Sequence, residues 1–171
     1  MVICYSSYEA EYYKALFNLT KTNFVSLQLG KSFEDSFEKI NNSQSDYIFS
    51  AGQSNRDYNT LIKIYNEIEI PLVIATTNKL VIPYFLQKKI SLKQLTGEEF
   101  QKALYYAKIV IIPLCSTNVS SGQIVLINAM AYGKCVIITE ANWTKDYLTH
   151  GENAWLVPPK DSKALAEAIR Y

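Results

Sequence analysis

The chain has 171 residues, with 49% hydrophobic residues, 19% charged residues and a formal net charge of +1. This composition excludes a disordered chain, and the near-neutral charge argues against an electrostatic nucleic-acid-binding protein. No apolar run approaches the ~20 residues of a membrane span, and the apolar residues 1–4 are too few for a signal peptide. We therefore expect a cytoplasmic protein with one core that meets its ligands in a pocket.

The predicted elements alternate along the chain between strand and helix. Short apolar runs rich in valine and isoleucine predict strands, several of them continuous, as in strands covered on both faces. The predicted strands are residues 2–5, 24–27, 47–50, 72–75, 109–113, 135–139 and 155–157. Amphipathic stretches predict helices at residues 8–19, 56–68, 97–107, 121–132 and 161–170. The alternation predicts an α/β fold with a doubly wound parallel sheet that binds ligands at the carboxyl ends of its strands.

The composition changes once, at residues 31–45, where serine, asparagine and charged residues crowd together with little apolar periodicity. We interpret this segment as a linker. It separates residues 1–30, a strand-helix-strand piece too small to bury both of its faces alone, from a larger lobe at residues 46–171. The small piece is expected to pack on the larger lobe or on a part of the protein outside this sequence. Asp161 is predicted to cap the last helix. The sequence ends within the pattern of that helix, and this ending indicates a truncated chain.

The cysteines and the histidine give no sign of a metal or a disulfide. Cys4, Cys115 and Cys135 lie in apolar stretches without CxxC spacing, so buried and reduced side chains are expected. His150 lies in a polar segment that is typical of an exposed turn. No second histidine or cysteine stands at metal-ligand spacing, so we predict no metal site.

A first candidate site follows the predicted strand at residues 47–50. Its residues are Gly52, Gln53, Ser54, Asn55 and Arg56. A glycine allows backbone conformations that other residues avoid, and a helix amino terminus offers free N–H groups at the positive end of its dipole. An arginine adds a forked donor, so the junction suits a phosphate. The alternative is a turn glycine beside a solvated arginine.

A second candidate site lies between the predicted strand at 109–113 and the predicted helix at 121–132. Its residues are Thr117, Asn118, Ser120, Ser121, Gly122 and Gln123. One serine would cap the helix, so the remaining donors suit an oxygen-rich ligand such as a sugar diphosphate. An ordinary polar loop is the alternative. Asn128 follows within an apolar run, where its amide needs a hydrogen-bond partner from the protein or from a ligand.

The order and spacing of five segments, residues 107–113, 120–134, 136–139, 151–159 and 164–169, resemble the carboxyl-terminal domain of retaining GT-B glycosyltransferases, the glycosyl transferases group 1. Residues 2–30 are similar to the end of the amino-terminal lobe of that family. The resemblance implies a UDP-sugar or GDP-sugar donor, an acceptor bound by the other lobe, transfer with retained configuration and no metal or cofactor. It also allows a peripheral membrane location for the full-length protein.

The resemblance also implies roles for single residues. Arg56 matches a basic phosphate contact, and Gln53 stands where a second basic residue is usual. Ser120 and Asn128 stand where the family has a pair of glutamates, and Asp146 replaces another glutamate. Arg56 and Ser120 are therefore the predicted catalytic residues, and Asn128 is predicted to lie beneath the ribose. The other predicted donor contacts are Gly52, Gln53, Ser54, Asn55, Thr117, Asn118, Ser121, Gly122 and Gln123.

Two alternative functions remain open from the sequence. The loss of both glutamates is also typical of a non-catalytic module that binds a nucleotide or a partner protein. An unrelated doubly wound enzyme would need an acid or base at the end of a strand, and its candidates are Asp57, Glu140 and Asp146.

Overall fold

The computed structural model describes residues 1–31 and 45–171. The predicted linker, apart from its first and last residues, lies outside the described residues. Within the described ranges, no helix is long and apolar enough to cross a membrane.

The first 31 residues form a small strand-helix-strand unit. Strand β1 (Val2–Cys4) and strand β2 (Phe24–Ser26) pair in parallel, and helix α1 (Ser7–Leu16) connects them. Ser6 caps α1 by accepting a hydrogen bond from Glu9 N. The unit has too few strands to be stable alone, and it is held to the rest of the chain by side-chain contacts of Asp146 and Tyr147.

The larger lobe contains a six-stranded parallel sheet in the order β5-β4-β3-β6-β7-β8. Its strands are β3 (Ile48–Ala51), β4 (Leu72–Ala75), β5 (Ile90–Lys93), β6 (Ile109–Ile112), β7 (Cys135–Thr139) and β8 (Trp155–Val157). The chain builds outward from β3 through β4 and β5, and then returns to add β6 on the other side of β3. The predicted doubly wound α/β fold is therefore confirmed.

Helices cover both faces of this sheet because successive strand residues point to opposite sides. Helices α2 (Tyr58–Lys63) and α5 (Ser162–Arg170) pack on the face of Ile48, and helices α3 (Gly97–Tyr106) and α4 (Gln123–Ala131) pack on the face of Phe49. Because aliphatic residues are buried on both faces of the sheet, the strand sequences are continuous apolar runs.

Three local predictions need correction. Strand β5 is absent from the predicted elements, because it is an edge strand in which only Ile90 is buried. The helix predicted at residues 56–68 is α-helical only over Tyr58–Lys63 and continues as the 3-10 helix Ile64–Asn66. Cys4 is buried as expected, but Cys115 and Cys135 are exposed, because they lie where apolar segments emerge from the sheet.

Candidate functional site

The two candidate loops meet at the point where the strand order reverses. One loop follows β3 and the other follows β6, and these strands are neighbours in the sheet. Because parallel strands end at the same edge, both loops lie at the carboxyl edge of the sheet. The crevice at such a switch point is the usual ligand site of doubly wound folds.

Asn55 joins the two loops. Its Nδ2 donates to Ser116 O at 2.9 Å, and its Oδ1 accepts from Ser116 N at 2.8 Å. Its backbone has a positive φ of 54°, a conformation that asparagine tolerates better than most residues. Asp57 N adds a bond to Pro113 O at 3.0 Å. The two candidate loops are therefore joined into one surface, called the wall below. Both the Nδ2 and the Oδ1 of Asn55 are used to hold the two loops together.

Arg56 lies in this wall and is largely held by backbone oxygens. Its Nε donates to Ala51 O at 2.8 Å, while Nη1 donates to Ser54 O at 2.9 Å and to Ser121 Oγ at 3.3 Å. Its Nη2 donates to no described residue. Nε and Nη1 are thus fixed by the protein, and Nη2 is left to meet a ligand.

Two glycines with positive φ enclose the guanidinium. A Cβ at Gly52, where φ is 123°, would lie 2.5 Å from Arg56 Nη2. A Cβ at Gly122, where φ is 98°, would lie 2.9 Å from Ile112 Cγ2 and 3.5 Å from Arg56 Nη2. Only glycine lets both backbones approach the arginine this closely.

The Arg56 charge lies in a partly desolvated place. Burial lowers the pKa of its guanidinium, and the nearby Tyr58 and Cys115 partly offset that effect. Among residues 1–31 and 45–171, no carboxylate forms an ion pair with Arg56. Burial also raises the pKa of Tyr58 to about 12, and its hydroxyl donates to Gly52 O at 2.7 Å. A partly buried cation without an anionic partner favours an anionic ligand.

Helix α4 begins beside Arg56, and its amino terminus has no side-chain cap. The residue before its first turn is Gly122, so no side chain accepts a hydrogen bond from the first amides. The serine cap that the sequence suggests is absent, because Ser121 lies one position before the cap residue and accepts a hydrogen bond from Arg56 instead. The first helical residue, Gln123, is only 7% exposed. The free amides and the helix dipole therefore add to the positive field of Arg56.

The amino terminus of α2 is used differently. Asp57 caps it by accepting bonds from Thr60 N at 3.1 Å and from Thr60 Oγ1 at 2.6 Å. The predicted phosphate contacts of the first junction therefore fall on Arg56 and the loop rather than on this helix. The cap also gives Asp57 a structural role.

The remaining predicted contacts lie on the rim of the wall. Gln53, Ser54 and Asn118 are exposed, and Thr117 is half-buried. Asn118 Oδ1 accepts a bond from Asn142 Nδ2 at 2.9 Å. The structure thus brings the predicted residues of both loops to one edge of the sheet.

Ser120 lies against the small unit. Its Oγ is 3.3 Å from Ser6 Oγ, and Ser6 is 1% exposed. Ser6 is not among the predicted site residues, although Ser6 and Glu9 form a helix-start pattern that marks Ser6 as a cap. Its position beside Ser120 has no local signal, because 114 residues separate the two.

Asn128 is buried and bonded within the protein. Its Nδ2 donates to Ile124 O at 2.6 Å, and its Oδ1 accepts from Lys31 Nζ at 2.7 Å. Lys31 is not among the predicted site residues, because it lies in the predicted linker and carries no motif.

The other polar candidates lie outside the wall. Asp146 accepts a hydrogen bond from Ser7 Oγ at 2.7 Å and so ties α1 to the larger lobe. His150 is exposed, as predicted, and its Nδ1 accepts from Leu156 N at 3.0 Å. Among residues 1–31 and 45–171, no group of three or more potential metal ligands lies together.

Solved glycosyltransferases share this fold over nearly the whole chain. Sucrose-phosphate synthase from Thermosynechococcus elongatus aligns with 99% of this chain and 48% of its own, with a TM-score of 0.75 and 20% identity. HepE from Anabaena, in complex with UDP-glucose, aligns with 99% of this chain and 53% of its own, with a TM-score of 0.74 and 14% identity. A glycosyltransferase from Rickettsia africae aligns with 99% of this chain and 52% of its own, with a TM-score of 0.77 and 15% identity. The chain thus spans about half the length of these proteins.

No curated protein matches the chain in sequence. The model of one family, glycosyl transferases group 1, matches residues 58–171, which include the loop after β6, α4 and everything that follows. This match removes the alternative of an unrelated doubly wound enzyme and confirms the resemblance to the glycosyl transferases group 1. The chain belongs to the glycosyl transferases group 1 family.

Proposed function

We propose that this lobe binds the diphosphate of a UDP-sugar or GDP-sugar in the crevice between the loops after β3 and β6. The observation that carries the proposal is the unbonded Nη2 of Arg56 beside the uncapped amino terminus of α4. The two N–H groups of Nη2 can donate to phosphate oxygens, and the α4 amides can meet them as a second set of donors. UDP-glucose in the HepE complex supports this class of donor.

We propose that the intact protein is an enzyme that transfers the glycosyl group to an acceptor held by another lobe. The bond between the anomeric carbon and the diphosphate oxygen breaks, the acceptor oxygen bonds to that carbon, and the acceptor proton passes to an oxygen of the departing diphosphate. Arg56 and α4 stabilise the negative charge that develops on the departing diphosphate, which is electrostatic catalysis by fixed donors. Ser120 offers a hydroxyl contact to the sugar, and the configuration is retained. The positive charge needed at the diphosphate comes from the chain itself, without a metal.

One observation favours a second candidate, a non-catalytic module with a degenerate site. Ser120 and Asn128 are neutral, and the Asn128 amide is already bonded to Lys31 and to Ile124. Such a module would still bind a nucleotide. Turnover of a nucleotide sugar by the intact two-lobed protein would exclude it.

Calorimetric titration with UDP, GDP, ADP and the matching monophosphates tests the donor site. We expect one diphosphate to bind more tightly than its monophosphate, and Arg56→Ala to weaken that diphosphate at least about tenfold, since hydrogen bonds to charged groups contribute about 1.5–3 kcal/mol. Arg56→Lys should recover only part of the affinity, because the single nitrogen of lysine cannot both bond Ala51 O and Ser54 O and reach the phosphate as the planar guanidinium does.

The matched control is Arg170→Ala, which removes an exposed arginine of α5 that pairs with Glu67. It should leave nucleotide affinity unchanged. Equal losses in both variants, or unchanged affinity in a folded Arg56→Ala protein, would refute the role of Arg56. Binding of no nucleotide at millimolar concentration would refute the donor site itself.

A further inference from the structure

Lys31 forms an unusual contact on the larger lobe. Its Nζ lies 2.7 Å from Asn128 Oδ1, 3.1 Å from Tyr132 Oη and 3.3 Å from Gln101 Oε1. It also lies 4.7 Å from the centre of the Tyr132 ring. An ammonium has three N–H groups, so these oxygens satisfy all of them.

The path of the chain places this lysine across the carboxyl edge of the sheet. Gln28 Nε2 donates to Asp146 O, and Leu29 N donates to Tyr147 Oη at 2.9 Å, both in the segment that follows β7. Two residues later, Lys31 reaches α4 at Asn128. Residues 28–31 therefore cross from the segment after β7 to α4, next to the crevice.

The contact leaves a positive charge without a carboxylate partner. All of its hydrogen-bonding oxygens belong to amide or phenol groups, and among the described residues Lys31 forms no ion pair. Asn128 is 7% exposed. It stands at the position where the family resemblance implies the ribose contact, so its oxygen would accept a hydrogen bond from a ribose hydroxyl in the proposed donor site. The lysine and a ribose would therefore compete for the same atom.

We infer that Lys31 is a specificity-determining residue that occupies the ribose contact at Asn128 in the free protein and is displaced when a nucleotide binds. This inference rests on the proposed donor site. Displacement costs binding energy only for ligands that carry a ribose, so Lys31 weakens nucleotides and leaves inorganic pyrophosphate unaffected. Substituting Lys31 should therefore tighten nucleotide binding selectively.

The test compares Lys31→Met with the unmodified protein by calorimetric titration with UDP, GDP and inorganic pyrophosphate. We expect Lys31→Met to bind the preferred nucleotide about tenfold more tightly, because a charge-assisted hydrogen bond no longer has to be broken. Pyrophosphate affinity should stay the same. The matched control is Lys21→Met, which removes an exposed positive charge from the same small unit and should change neither affinity. Circular dichroism checks that each variant is folded.

A second variant tests the competition directly. Asn128→Asp introduces a carboxylate that pairs with Lys31, so it should weaken nucleotide binding when Lys31 is present. In the Lys31→Met background the carboxylate is free to accept ribose hydroxyls, and the same substitution should lose its effect or strengthen binding. Such non-additivity is the signature of a direct contact.

The outcomes separate the two proposals. Tighter nucleotide binding by Lys31→Met, with or without detectable binding by the unmodified protein, supports both. Nucleotide binding that Lys31→Met leaves unchanged or weakens, or an Asn128→Asp effect that is equal in both backgrounds, overturns the role of Lys31 and leaves the donor site standing. Binding of no nucleotide by either protein overturns both.

Discussion

The substitution Gly52→Ala should disrupt the candidate anion site through a single methyl group. The new Cβ would lie 2.5 Å from Arg56 Nη2 and 2.7 Å from both Cζ and Nε of the same side chain. These atoms cannot stay in place, because real Cβ contacts are not this short. The guanidinium must leave the wall and give up its 2.8 Å bond to Ala51 O.

The cost has two parts. Alanine at a φ of 123° is strained by about 1–3 kcal/mol. The lost hydrogen bond from the charged guanidinium adds about 1.5–3 kcal/mol. The free energy of unfolding should therefore fall by about 3 kcal/mol or more. Nucleotide affinity should fall as far as it does in Arg56→Ala, since the same donor is displaced.

Gly133→Ala is the control for backbone strain alone. Gly133 has a φ of 61°, and a Cβ there would meet no atom within 4 Å. Gly133→Ala should lower the free energy of unfolding by about 1–2 kcal/mol and leave nucleotide affinity unchanged. Urea unfolding measures the first quantity and calorimetric titration the second. The reasoning is refuted if Gly52→Ala is no less stable than Gly133→Ala, or if it binds nucleotide as the unmodified protein does.

Two further predictions concern the residues that hold the wall. Asn55→Gly should lower the free energy of unfolding by about 2 kcal/mol, because two hydrogen bonds to Ser116 are lost. Asn55→Ala should lower it by about 1 kcal/mol more, because alanine is strained at the positive φ of this position. Equal losses for the two variants in urea unfolding would contradict the argument from φ. Tyr58→Phe should cost about 1 kcal/mol at pH 7 by removing a hydrogen bond. Because burial raises the folded-state pKa of Tyr58 from 10.0 to about 12, its contribution is complete below pH 10 and is lost as the pH rises from 10 to 12, so the advantage over Tyr58→Phe should shrink across that window. A difference between the two proteins that is independent of pH up to 12 would refute this assignment.

Local pattern was enough to predict the fold. Continuous valine and isoleucine runs, separated by amphipathic stretches, define strands that are covered on both faces, and this alternation predicts a doubly wound parallel sheet. Asp161 caps α5 as predicted, by accepting a bond from Ala164 N at 3.0 Å, because capping depends on neighbours within one turn. The edge strand β5 was not predicted, because three of its four residues are exposed and its sequence lacks the apolar run that indicates a buried strand.

The sequence by itself also determined which loops face the crevice, since a loop between a parallel strand and a helix must lie at the carboxyl edge of the sheet. Only the tertiary structure decided what each side chain does there. Arg56 lies against Gly122 across the two loops, Ser6 meets Ser120 over 114 residues, and Lys31 reaches Asn128 over 97 residues. Contacts at such separations leave no periodicity or spacing in the sequence, because they depend on how complete elements pack.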